Sequence, residues 1–396
     1  MRVSIVAAFL GLTVGHLEAF LHLSPPIFRL TQKFTGTIKF PSHESPLEAK
    51  SQLHCLKASP GLLFASMDTK SKLAGLAALV GLLLMFVRNV LWIPSRTYDK
   101  EKNSVGVEYD AWTEEGILEY YWGEHIHLGH YNDEERARGY KKKNFIQAKY
   151  DFIDRMMEFG KVSKQMKPEK VLDVGCGIGG TSRYLAKSFS EDTQVTGITL
   201  SKNQVSRATQ LAEDQGVKNV NFEVMDALAM SYPDNSFDVV WACESGEHMP
   251  DKKKYIEEMM RVLKPGGRLV VATWCQRDDT DKPFDAEERK MLDFLYAEWT
   301  HPYFISIEKY AEIMKDTGLL RDITTNDWTV PTLPSWRHSI WVGVFDPWPV
   351  VIRPLLWWKC LRDGVTLERM HRAFTSGLMQ YGMFTATKLN PYVPPV

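Results

Sequence analysis

The 396-residue sequence predicts an α/β fold organised as a doubly wound sheet, and three observations carry that reading. From Lys170 onward, apolar runs of strand length alternate with amphipathic stretches of helix length, the pattern of repeated β–α units. The first run ends in Gly175-Cys176-Gly177-Ile178-Gly179-Gly180, a glycine-rich turn that opens a helix. The composition, 44% apolar and 24% charged, supports a large buried core and excludes a mainly disordered or disulfide-scaffold chain.

Taken in order, the first strand is expected at residues 171–174, with a helix starting near Thr181. Further strands are expected at 194–199, 220–225, 237–242 and 268–273. The intervening helices fall at 201–215 and 252–263, the second stopped by Pro265-Gly266-Gly267. Such a series predicts parallel neighbours with a ligand at the strands' carboxyl ends. Residues 322–328 and 382–388 supply the last two strands, and the stretch between them an inserted helical cap. That stretch is rich in Trp (336, 341, 348, 357 and 358). Its apolar side chains could line a tunnel for an apolar tail, form the core of the cap, or lie on a bilayer with Arg353, Lys359 and Arg362 at the interface. The chain thus divides into an amino-terminal cap segment (94–164), a binding core (165–275) and a carboxyl-terminal region completing the sheet (276–396).

The net charge of -1 hides an uneven distribution: residues 1–103 hold 12 Lys/Arg against 6 Asp/Glu, and the rest holds 36 against 43. An acidic body argues against a nucleic-acid substrate, and a basic leader argues for targeting. Residues 1–19 read as a signal peptide, with Arg2, an apolar run over 3–14 and small Ala19. Residues 20–72 carry 11 Ser/Thr, 7 Lys/Arg and 3 acidic residues, as transit peptides do. Together they resemble the bipartite plastid presequence of algae with secondary plastids; a long signal peptide with a linker is the alternative. Residues 73–93 form a second apolar stretch close to bilayer-spanning length, with Arg88 and Trp92 near its end and Pro94 after it. A membrane anchor is expected there, ahead of a removable targeting signal or a core helix. The five Cys form no C-x-x-C pair, which argues against zinc or disulfide frameworks and for packing roles.

Glycines at the turn let the backbone bend sharply and bring N–H groups close to a ligand. Alone, such a turn fits NAD enzymes, S-adenosylmethionine (SAM) enzymes and non-binding domains. Asp173 stands just before it, where its carboxylate could orient the turn or face a cationic amino-acid group. Asp226-Ala227 follows the third strand, where a carboxylate could accept from an adenine amino group; turn capping is the alternative for both. The second strand ends in Ile198-Thr199-Leu200-Ser201 and lacks the acid that binds an NAD ribose, which favours SAM.

Residues 172–180 are similar to the SAM-binding motif of class I methyltransferases. Residues 197–204 resemble the subgroup of tocopherol, sterol and cyclopropane-forming methyltransferases. Residues 245–252 with Thr273-Trp274-Cys275 narrow the resemblance to tocopherol and prenylquinol C-methyltransferases, and it extends over nearly all of residues 104–390. The resemblance implies a Rossmann-like fold that binds SAM through Asp173, Gly175, Cys176, Gly177, Gly179 and Gly180. Thr199, Leu200, Ser201, Lys202, Asn203 and Gln204 would lie on the ribose and adenine side, with Asp226 and Ala227. Trp122, Glu124, His125 and His127 fall in the family's substrate segment. The implied reaction is ring methylation of a prenylated benzoquinol in tocopherol (vitamin E) or plastoquinone biosynthesis. Residues 276–279, 299–302, 333–341 and 381–384 point to the branch acting on 2-methyl-6-phytylbenzoquinol. The alternatives are γ-tocopherol, a sterol C24 acceptor, or a silent SAM-binding protein. The expected partners are the lipid acceptor and a plastid membrane, without nucleic acid or an obligate protein partner.

Ring methylation requires deprotonation of a hydroxyl whose pKa resembles that of Tyr, about 10. Glu247 or His248, after the fourth strand, could be the base, with one of the two facing the substrate if the segment is extended; Glu244 is a further carboxylate nearby. Capping by Glu247 and stacking of His248 on Met249-Pro250 are the structural alternatives. Glu124, His125, His127 and His130 could contact the quinol hydroxyls. No metal is expected, because a sulfonium methyl needs no Lewis acid.

Overall fold

A computed structural model describes residues 68–96 and 98–390. The expected signal peptide, most of the transit-like segment and Cys55 lie outside the described residues. The chain forms two units, Met1–Gly81 and Leu82–Val396.

The described part of the first unit is the start of helix α1 (Thr69–Val90), where the Asp68 carboxylate accepts from the Ser71 N–H at 2.9 Å. By length and composition α1 could cross a membrane, and most of its described side chains are exposed.

The second unit is built on seven strands: β1 (Lys170–Val174), β2 (Gln194–Thr199), β3 (Val220–Val224), β4 (Phe237–Cys243), β5 (Leu263–Gln276), β6 (Leu320–Asp327) and β7 (Met379–Lys388). Their order is β3-β2-β1-β4-β5-β7-β6. Side chains alternate between two cores, as a sheet covered on both faces requires. Val239, Trp241 and Cys243 enter one, and Val240 and Ala242 the other.

Helices α2 (Ser104–Glu115), α3 (Ile117–Trp122), α4 (Asp133–Arg138) and α5 (Phe145–Gly160) precede the sheet. Helices α6 (Gly180–Ser188), α7 (Lys202–Asp214) and α8 (Lys252–Val262) join its parallel strands, and α9 (Ala286–Glu298) and α10 (Ile307–Asp316) lie between β5 and β6. The cap contains α11 (Thr329–Thr332), α12 (Pro334–Phe345), α13 (Trp348–Val351) and α14 (Trp357–Thr375).

Two features differ from the sequence reading. β5 begins at Leu263, so Pro265 lies inside a strand at its irregular start, where the pairing with β4 shifts register. β7 is antiparallel to both neighbours. The cap leaves the sheet after Asp327 and returns at Met379 on the same edge, so the returning strand must run backwards.

The cap is tied down by charge. Glu298 is fully buried and accepts from Arg362 at 2.7 Å, and Ser95 donates to it at 2.8 Å. Arg362 also donates to the Ile93 carbonyl at 2.8 Å, and Arg369 to that of Leu91 at 2.7 Å. Arg362 is therefore a buried tie and not an interfacial cation. Arg353 and Lys359 likewise bond Glu115, each at 2.7 Å. Removing one partner of a buried pair leaves the other charged and unsolvated, which costs about 3–5 kcal/mol. Glu298→Ala should lower the unfolding free energy in urea by about that amount; a change within surface-mutation scatter would show that the pair contributes nothing.

Candidate active site

The strand order reverses between β1 and β4, and there, at the carboxyl edge, lies a cavity of about 340 Å³. Gly175, Cys176 and Gly177 form its floor, Thr199 to Ser201 with Gln204 one wall, and Asp226 to Leu228 another. Glu244, Ser245 and His248 close the β4 side, while Ser104 to Gly106 and Tyr109 of α2 cover it.

Backbone proximity shapes this space. Gly175 has φ 84°, and a Cβ there would lie 2.4 Å from the Ser245 Cβ. At Gly180 a Cβ would lie 2.1 Å from the Glu124 carbonyl oxygen, so this glycine seats the 124–125 segment and does not line the cavity. Gly179 is also off the wall, against Phe222. Asp173 is buried on the wall and accepts from the Ser182 hydroxyl at 2.6 Å; burial pushes its carboxyl up to about 6.

Ser201 caps α7, accepting from the Gln204 N–H at 3.0 Å, and the Thr199 hydroxyl donates to the Gln204 side chain at 2.7 Å. Asp226 lies on the wall and also caps its turn through the Leu228 N–H at 2.9 Å. Lys202 and Asn203 are not brought to the cavity: Lys202 is exposed, and Asn203 donates to Glu114 at 2.8 Å. Asp110 takes the Ser201 hydroxyl and, at 3.1 Å, the Asn203 N–H. This carboxylate at the α7 amino terminus fixes α2 over the cavity. No motif marked Asp110 or Tyr109, because nothing local in the sequence says that α2 crosses α7.

The β4 loop departs from expectation. Glu247 and His248 lie in a 3-10 turn, Gly246–His248, and not in extended backbone. Glu247 is buried off the wall and accepts from the Thr273 hydroxyl at 2.6 Å. His248 is on the wall with Nε2 3.0 Å from the Tyr109 hydroxyl, and burial lowers its pKa to about 3, so it is neutral. Glu244 lies on the wall, its carboxylate accepting from the Leu128 N–H at 2.8 Å and the Tyr381 hydroxyl at 2.7 Å.

In the amino-terminal cluster, His127 donates from Nδ1 to the Leu128 carbonyl at 2.8 Å, which leaves Nε2 a buried acceptor without a partner among the described residues. Burial lowers its pKa to about 3 and that of His125 well below normal. Both line the cavity, as does Glu124, whose carboxylate accepts from Arg183 at 2.6 Å. Burial would raise that carboxyl, but bonds from Arg183 and Gln215 outweigh it and hold it below its usual range. Trp122 is off the wall; its ring lies 4.4 Å from the Lys149 ammonium. His130 is also off the wall, against Trp328.

A glycine floor open to a charged amino-acid group, a hydroxyl-lined wall and an acid beyond β3 suit SAM. Residues 166–318 match the family description "Methyltransferase domain". A geranyl diphosphate C-methyltransferase from Streptomyces coelicolor, solved with S-adenosyl-L-homocysteine, shares the fold: TM-score 0.56, 19% identity, covering 72% of this chain and 96% of its own. The [4+2]-cyclase SpnF gives TM-score 0.58 at 25% identity over 76% and 99%, so this fold does not by itself define a reaction. The 2-methyl-6-phytyl-1,4-hydroquinone methyltransferase of Synechocystis is 47% identical over 79% of this chain and 96% of its own length. The tocopherol O-methyltransferase of Arabidopsis thaliana is 35% identical over 69% and 79%.

The chain is a SAM-dependent enzyme with the Rossmann-like class I methyltransferase fold. Within that class it belongs to the tocopherol/prenylquinol methyltransferase family.

Forcing a side chain at Gly175 into left-handed backbone against Ser245 costs about 1–3 kcal/mol. Gly175→Ala should therefore weaken SAM binding in calorimetry by roughly tenfold or more; unchanged affinity would remove this turn from the binding site.

Proposed function

We propose that the protein methylates a ring carbon of a prenylated benzoquinol on the route to tocopherol and plastoquinone, with 2-methyl-6-phytylbenzoquinol the preferred acceptor. The observation that carries this reading is the 47% identity to the Synechocystis enzyme over 318 residues, a length far greater than that of the SAM core alone. The tocopherol methyltransferases, at 35%, favour γ-tocopherol as the second reading.

SAM supplies the electrophilic methyl group. Asp173, Gly175, Cys176 and Gly177 hold its amino-acid end, and Thr199, Leu200, Ser201, Gln204, Asp226 and Ala227 its nucleoside. His125 and His127, both neutral, face the quinol, and His127 Nε2 is the free acceptor for a hydroxyl. His248 with Tyr109 forms the opposing polar contact, while Glu247 fixes the turn through Thr273. Helix α2 excludes water above them.

The acceptor's tail brings the enzyme to a membrane. α1 is its anchor, and the outer face of the cap is a second lipid contact: Phe345 is 66% exposed, Trp348 67%, Ile352 71% and Leu355 95%. The leader's composition and the chloroplast location of the plant relatives support a plastid membrane as the site.

The chain from residue 69, given labelled SAM and a panel of 2-methyl-6-phytyl- and 2-methyl-6-solanesylbenzoquinol, γ-tocopherol and sterol, should label the phytylbenzoquinol best. Exclusive labelling of γ-tocopherol would replace the acceptor while keeping the enzyme class. Without residues 69–90, the protein should still float with anionic lipid vesicles, and Ile352→Asp with Leu355→Asp should abolish that; undiminished flotation would remove the cap from the membrane contact.

A further inference from the structure

We infer, on the prenylbenzoquinol reading, that Glu244 is the catalytic base that takes the proton from the acceptor's hydroxyl. Position, backbone conformation and hydrogen bonding all point to this residue.

Glu244 directly follows β4 at the carboxyl edge, on the cavity wall. Its backbone has φ 52°, in the left-handed region that side-chain-bearing residues rarely occupy. Such a conformation is strained and persists where the surroundings over-determine it. Here the Glu244 N–H donates to the Ala272 carbonyl of β5 at 2.8 Å, which holds this backbone to the sheet.

The carboxylate is held by donors that leave it uncompensated. Leu128 N–H and the Tyr381 hydroxyl both donate to Oε1, at 2.8 and 2.7 Å, which keeps Oε2 out of this pair of bonds. The other carboxylates on the wall are committed. Glu124 is paired with Arg183 and Asp99 with Lys102, while Asp173 accepts from Ser182 and Asp226 caps its own turn. Glu247 is off the wall.

Proton affinity agrees with this placement. Burial raises the Glu244 pKa, and the neighbouring Glu247 charge raises it further, while the Leu128 and Tyr381 donors pull it down. Tyr109, Cys243 and the buried Lys149 also face its charge. A carboxylate with raised affinity is better matched to a phenolic proton than an ordinary one. His248 is a poor competitor, since burial disfavours its protonated form.

In the step, the hydroxyl O–H bond breaks, its proton bonds to Oε2 of Glu244, and the electron pair stays on oxygen, enriching the ortho carbon. The carbon–carbon bond then forms as the carbon–sulfur bond breaks, with that pair left on sulfur. Loss of the ring carbon's own proton to water restores aromaticity, and Glu244 returns its proton to the oxygen. The balance is one proton released per methyl transferred. Tyr381 is a positioning residue.

The test uses the full chain as wild type, Glu244→Gln, Tyr381→Phe and Glu247→Gln. Gln keeps an acceptor for Leu128 and Tyr381, so SAM affinity by calorimetry should stay within about twofold while kcat falls about 10²- to 10⁴-fold. In wild type, kcat should rise with pH as the base ionises, above the ordinary carboxylate range. Tyr381→Phe, by removing a donor to the ionised form, should move that limb to higher pH. Infrared difference spectra should show a buried protonated carboxyl band that titrates away in wild type and in Glu247→Gln and is absent in Glu244→Gln. Glu244→Gln with normal SAM affinity and near-normal kcat would overturn the assignment. So would an unmoved pH limb in Tyr381→Phe, or no titrating band from Glu244. A wild-type protein that methylates no prenylquinol would instead sink the substrate reading, and the infrared titration would then judge Glu244 by itself.

Discussion

The architecture depends on how closely three stretches of backbone approach one another at the carboxyl ends of β1 and β4. Gly175 lies against Ser245, and Gly180 lies against the Glu124 carbonyl. A side chain at either glycine would separate the nucleotide turn from the β4 loop or from the amino-terminal segment. The cavity exists because those separations are so small: its floor, its β4 wall and its substrate-side wall all meet there.

Burial then decides the electrostatics. The histidines on the wall, His125, His127 and His248, are pushed towards the neutral form because no charged partner repays desolvation. The same desolvation raises Asp173 and Glu244. The site therefore carries less formal charge than its residue types suggest, which suits an apolar acceptor entering beside a cationic methyl donor. The Glu298–Arg362 pair lies away from the site, and Glu124, on its wall, has its charge answered by Arg183. The two pairs tie down the cap, the linker after α1 and the segment before the sheet.

Much of the core was legible because its determinants are local. Short apolar runs placed β1 to β4 to within one residue at each end and fell inside β5, and Ser201 was readable as the start of a helix. The limits appeared where long-range contacts decide. Pro265 looked like the end of a helix and a break, yet the chain enters β5 at Leu263 because Phe237 pairs there. Glu247 and His248 follow the fourth strand as expected, but it is a 3-10 turn, which no local pattern announces, that sends Glu247 to Thr273. Lys202 and Asn203 belong to the recognised motif, but neither lies on the cavity wall, and Asn203 is bonded to Glu114 of α2.

The sequence by itself determined the strand and helix periods, the glycine turn, the family and the separation of a basic leader from an acidic body, since each is written in neighbouring residues. Only the tertiary structure decided that α2 covers the cavity through Asp110, that β7 runs backwards, and that Glu244 rather than Glu247 lies on the wall. The physical reason is common to all three. Each depends on which groups, tens or hundreds of residues apart, satisfy one another's hydrogen bonds once water is excluded.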